Sequence, residues 1–243
     1  MARIQRRELK KDEFIDTFDA ALLYVEEHSR SLLALVLAVI LGGGSLGGFY
    51  WYAQRQEDRA SAALGAALMT FEAPVQAGLP PLPGDAPQRT FASEGDKYEA
   101  AEKEFAAVRA RFPGTRAALL AKHYQALCQF RLGQSDAAVT ALDELRRAAD
   151  DNVAALAGLH LAGFYEKLGR PGEAEKLYRQ LAAHPTTTVP RPLALLALAN
   201  LQAQANPAEA RQLYQEVQGE FPDSAIAAEV TRRLELLPSP PQP

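Results

Sequence analysis

Four histidines, His28, His123, His160 and His184, and one cysteine, Cys128, have the widest chemical range of any side chains in this 243-residue sequence. An imidazole can ligate a metal or carry a proton near neutral pH, and a thiolate can attack carbon or bind metal. Both roles need partners at fixed spacing. No histidine stands in a pattern such as H-E-x-x-H or H-x-x-x-H, and no cysteine pairs with one. Glycines 42–44, 47 and 48 are crowded as in a phosphate loop, but such a loop joins a strand to a helix, and no strand is visible. A serine nucleophile needs a strained elbow built on the same kind of junction. Cys128 lies on an apolar stretch, which fits a small buried hydrophobe better than a reactive thiol. The sequence offers no catalytic residue, no metal site and no cofactor site, and predicts that the chain is not an enzyme.

The elements that carry these residues explain the lack of chemistry. Residues 31–53, SLLALVLAVILGGGSLGGFYWYA, contain no charge. As a helix they would reach roughly 35 Å, enough to cross the ~30 Å hydrocarbon layer of a bilayer. A cleaved signal peptide and a buried core helix are the rival readings. The thirty residues before the run carry seven acids, no small-x-small cleavage pattern directly follows it, and Phe49, Tyr50, Trp51 and Tyr52 suit a membrane interface. The expectation is a single uncleaved transmembrane helix. Basic residues resist translocation, and Arg3, Arg6, Arg7, Lys10, Lys11 and Arg30 precede the run, whereas only Arg55 and Arg59 follow it before Arg89. The N-terminus is therefore expected in the cytoplasm and the larger part outside a bacterial inner membrane, in the periplasm.

Charge narrows the partners. From residue 54 onward 20 basic and 23 acidic residues are interspersed, which gives no footprint for nucleic acid. One cysteine allows no internal disulfide, and none follows the apolar run as a lipid attachment point. Phe14, Phe18, Leu22 and Val25 form the apolar stripe of a short amphipathic helix with an acidic polar face, suited to the membrane interface or to a protein partner. Gly43 with Gly47 and Gly44 with Gly48 make two small-xxx-small pairs that would let another membrane helix approach. Residues 54–73 continue as helix. Residues 74–96, with five prolines and three glycines, read as an exposed, mobile spacer, and residues 238–243 as a disordered tail.

The rest of the chain repeats. Gly169, Pro171, Glu173, Ala174, Leu177, Tyr178 and Leu181 recur 36 residues later as Ala205, Pro207, Glu209, Ala210, Leu213, Tyr214 and Val217. The same step backwards from Gly169 reaches Gly133, with Ala138, Leu142 and Leu145 behind it. A fourth copy is marked by Ala101, Phe105, Val108 and Phe112-Pro113. Each unit reads as two helices. Small residues, Ala126 and Ala162 in first helices and Ala101, Ala138, Ala174 and Ala210 in second ones, let a pair touch closely, and the tyrosines at 165, 178 and 214 fill the gap to the next pair. A pair cannot bury its apolar face alone, so pairs stack. A last helix, residues 223–237, with Asp223 or Ser224 as its cap, is expected to close the stack with a polar face.

Leu161-Ala162-x-x-Tyr165-x-x-Leu168-Gly169, followed by Ala174 and Tyr178, resembles the tetratricopeptide repeat. The resemblance implies an all-α, right-handed helical-repeat solenoid of about four helix pairs plus a C-terminal capping helix. By analogy with ligand-contacting positions of that family, a protein-binding concave face would hold His123, Leu127, Phe130 and Arg131, then Leu159, Gly163, Glu166 and Lys167, then Leu195, Ala199 and Gln202. The final helix or the 74–96 insertion could cover part of it. The basic and asparagine set that clamps a peptide carboxylate in some such repeats is absent, so an apolar segment is the expected occupant.

The whole layout, a charged leader, one glycine-rich span and a small repeat domain, is similar to the ancillary subunit family of the SecYEG translocon, the YfgM-like proteins. That resemblance implies a membrane-anchored scaffold associated with the translocon and with a membrane-anchored prolyl isomerase chaperone, handing over secreted chains. A scaffold for envelope biogenesis or cell division is the alternative. A third is a structural protein that associates with itself through Gly43, Gly44, Gly47 and Gly48.

Overall fold

The computed structural model describes residues 29–76 and 90–238. The predicted amphipathic helix at 14–25, most of the insertion and the last five residues lie outside them. By compactness the chain divides into residues 1–55 and 56–243. Helix α1 has the bounds Ser29–Phe71. In the first unit its side chains from Phe49 to Tyr52 are exposed, and the Arg55 guanidinium lies 4.9 Å from the Trp51 ring centroid. Among the described residues no helix is long and apolar enough to cross a membrane. The most apolar part of the sequence-predicted span, residues 31–42, lies among those whose side chains are not described.

In the second unit the end of α1 is followed by α2 (Glu94–Arg111), α3 (Arg116–Arg131), α4 (Ser135–Ala148), α5 (Asp151–Lys167), α6 (Pro171–Ala183), α7 (Arg191–Ala205), α8 (Pro207–Glu220) and α9 (Ala227–Leu236). From α2 to α9 consecutive helices pack, the end of α1 shares an apolar cluster with α2 and α3, and the described residues contain no strand, only a β-bridge between Val75 and Phe91. All six repeat alanines, at 101, 126, 138, 162, 174 and 210, are fully buried. With no side chain beyond Cβ they let helix axes approach, and the larger groups close the remaining space. Tyr178 and Tyr214 are buried in one cluster with Leu195, Leu198, Val217 and Val230.

Helix ends follow local chemistry. Thr115 and Asp150 accept hydrogen bonds from the first-turn amides of α3 and α5 through their side chains. Gly133 and Gly169 take φ of +82° and +70°, and the amides after them, Gln134 and Arg170, bond back to Gln129 and Tyr165 at 2.8 Å. This is the left-handed helix stop that the Leu-Gly pairs predict. The fourth unit has Ala205 in that place. There Asn206 ends α7 with its backbone and caps α8 with its side chain, which accepts from the Glu209 amide at 3.3 Å.

Two boundaries differ from expectation. Helix α2 starts inside the predicted spacer, because Ser93 Oγ accepts from the Asp96 amide at 3.1 Å and donates to the Asp96 carboxylate. Helix α9 starts at Ala227, not near Asp223. Bonds from Ser224 N to Phe221 O and from Ala227 N to Ser224 O keep the backbone in tight turns until Val230 N reaches Ile226 O. Neither Asp223 nor Ser224 caps it.

Candidate functional site

The first helices of the second and third pairs, α3 and α5, lie side by side and carry most of the sequence-predicted face. Phe130, near the end of α3, stacks on Phe164 of α5 with ring centroids 3.8 Å apart and planes within 7°. The Lys167 ammonium sits 5.8 Å from the Phe130 centroid. The guanidinium of Arg131, the residue after Phe130, lies 5.7 Å from the Tyr98 ring, and Arg170 lies 4.4 Å from the Tyr165 ring. Aromatic faces carry negative quadrupole charge, so each ring holds a cation near the helix-turn edge. The cations remain at the surface, since Arg131, Lys167 and Arg170 are all exposed.

Leu127 and Leu159 are half-buried and offer apolar surface on the same two helices. At Gly163 the Tyr178 hydroxyl stands 3.9 Å from where a Cβ would be, so the missing side chain leaves room beside that ring. The same hydroxyl donates to the Glu166 carboxylate. Burial and then this bond push the Tyr178 phenol well above its usual range and keep it a donor.

Four of the predicted residues do not reach the surface. His123 is 1% exposed, set edge-on to Tyr124 at 5.4 Å and beside His160 at 4.7 Å. Its Nδ1 has no hydrogen-bond partner. Burial, and then the charge of His160, pull its pKa down to about 3, so the ring is neutral. Leu195, Ala199 and Gln202 are buried at 4%, 0% and 8%. Leu195 and Ala199 belong to the core shared with α6 and α8, which occupies the face of α7 that the analogy assigned to a ligand.

Arg170 joins the site without having been singled out in the sequence, and Phe164 and Tyr98, each 7% exposed, back it from the core. The signal was available for Phe164, which lies one residue before the repeat tyrosine and 34 after Phe130, close to one period. Cys128 is fully buried, and burial followed by the nearby Glu102 charge pushes its thiol up to about 12, so it packs as an apolar group. His160 donates from Nδ1 to the Leu156 carbonyl at 3.2 Å. Among the described residues no three potential metal ligands come together. Gly43, Gly44, Gly47 and Gly48 are exposed, and a Cβ at any of them would meet nothing within 4 Å.

No curated protein and no solved structure matches the chain. The tetratricopeptide-repeat family model matches residues 121–151 and 193–224. Those two matches begin 72 residues apart, twice the 36-residue period, and fall on α3 with α4 and on α7 with α8. The chain thus carries tetratricopeptide repeats within an all-α stack of helix pairs, an architecture that characteristically binds other proteins.

Proposed function

We propose that this protein is a single-pass, membrane-anchored scaffold that holds apolar segments of other proteins against the α3 and α5 face. The observation that carries the reading is the half-buried Phe130 ring, stacked on the buried Phe164, with the half-buried Leu127 and Leu159 on the same two helices, the Lys167 ammonium over the Phe130 ring and the exposed Arg131 next to it in sequence. A ring fixed by the stack behind it gives contact area at low entropic cost, and the nearby cations select segments with acidic residues beside their apolar ones. The members of the predicted set that keep some accessible surface, the half-buried Leu127, Phe130, Leu159 and Gly163 and the exposed Arg131, Glu166 and Lys167, form the contact surface.

The uncharged run at 31–53 supports an anchor, and the bias of basic residues before it supports a cytoplasmic N-terminus and a periplasmic repeat domain. The layout supports the translocon and its prolyl isomerase chaperone as neighbours, with secreted chains as clients. A photocrosslinker at Leu127 in the full chain is expected to trap translocon subunits, that chaperone or nascent secreted chains. Recovery of cell-wall enzymes alone would assign the scaffold to envelope assembly instead. A topology reporter after Pro243 is expected to be active outside the inner membrane, and an inside-facing result would overturn both compartment and partners.

A further inference from the structure

The two ends of the stack are built differently. At the C-terminal end α9 buries Val230 completely and turns Arg232, Arg233 and Glu235 to water. At the other end α1 and α2 leave an apolar groove of about 910 Å³, lined by Ala66, Met69, Ala107, Val108 and Phe112 among others. Met69 is 75% exposed. Helix pairs in a stack bury their apolar faces against neighbours, so an open groove at a terminal pair is a place where one more helix would pack.

The direction of that helix is written in two independent ways. The hydroxyl of Thr70 donates to Glu104 at 2.7 Å and sets the register of the antiparallel pair, so Ala63, seven residues back, faces Arg111, seven residues on. Glu72 and Glu104 therefore stand at one end of the groove and Arg111 about 10 Å away at the other. A helix N-terminus is positive and its C-terminus negative, so a helix lies best here with its N-terminus at the two carboxylates. The alternation of the stack gives the same answer, because a helix packed before α1 runs antiparallel to it. The molecule already uses this device: the Glu57 carboxylate, on α1, accepts from the Arg116 and Ala117 amides at 3.0 and 3.1 Å and so binds the N-terminus of α3.

We propose that this groove receives an apolar-faced helix of a partner protein, its N-terminus at Glu72 and Glu104 and its C-terminus at Arg111. This surface is separate from the α3 and α5 face and does not rest on its assignment.

The probe is a synthetic eight-residue peptide about 12 Å long, held helical by a side-chain staple, with leucines on one face and uncharged polar residues on the other, carrying a nitroxide at either end. It is titrated into the isotope-labelled full chain in detergent. Saturable binding is expected, with the N-terminal nitroxide broadening the Glu72 and Glu104 amides and the C-terminal one the Arg111 amide. Ala66→Glu, a change at an exposed position, is expected to weaken binding at least tenfold, and Gln212→Glu, on the exposed side of α8, to leave it unchanged. No saturable binding, the opposite polarity, or an equal loss in Gln212→Glu would overturn the proposal. So would a Met69→Cys chain that resists maleimide, or a dimer that Ala66→Glu dissociates, because the groove would then be filled by the chain itself or by a second copy.

Discussion

The imidazole rings of His123 and His160 lie 4.7 Å apart, inclined at 66°, on the seam between α3 and α5. Both pKa values are lowered, His123 to about 3 from an ordinary 6.5, with burial the main cause in each. The folded state therefore binds fewer protons than the unfolded one below pH 6.5, and stability falls as pH drops from 6.5 towards 3. His123 alone accounts for about 2 kcal/mol between pH 7 and pH 5. Thermal unfolding at several pH values should show this slope. His123→Leu, which removes the titration and the unpartnered Nδ1, should flatten it without loss at pH 7.5. An unchanged slope would place the acid sensitivity elsewhere.

Tyr178→Phe keeps the ring in its buried place and removes only the bond to Glu166, whose carboxylate is exposed and can turn to water. The expected cost is about 1 kcal/mol in urea unfolding. Tyr178→Ala empties a site at 4% exposure and should cost about 4 kcal/mol. Equal effects would show that the bond, not the packing, holds α5 to α6.

Glycine substitutions should split by backbone conformation. Gly133→Ala and Gly169→Ala force a Cβ into the left-handed region and should each cost about 1 kcal/mol. Gly172→Ala, in the first turn of α6 with open space around its Cβ position, should stabilise by roughly 0.5 kcal/mol. Chemical denaturation of the three variants separates the two classes.

Glu57→Ala should destabilise by about 1 kcal/mol, because the first two amides of α3 lose their shared acceptor. Amide exchange at Arg116 and Ala117 should accelerate, whereas exchange in α7 should not. Acceleration spread evenly over the stack would mean that Glu57 does not act locally.

The periodic part of this fold was legible because each unit meets the same steric demand. A fully buried alanine stands in each pair, at 101, 138, 174 and 210, and steps of 37, 36 and 36 lead from one to the next. The binding face was legible only in part. Carrying ligand positions from unit to unit assumes that every first helix shows the same side to solvent, yet Leu195 and Ala199 are covered by α6 and α8, whereas Leu127 and Leu159 stay half-open. Burial of a residue on one unit is set by side chains of another, which no local spacing records. The Glu57 cap on α3 is hidden for the same reason, since 59 residues separate donor and acceptor.

The Val75–Phe91 bridge has a practical consequence. Its two backbone bonds, Gln76 N to Phe91 O at 3.0 Å and Phe91 N to Pro74 O at 3.3 Å, clamp the chain where it leaves α1 and where it approaches α2. The ends are held at a fixed distance whatever lies between, and lengthening a closed loop is thermodynamically cheap. Residues 77–89 are thus a natural graft point, where an epitope or a reporter can be spliced in while the four helix pairs keep their register.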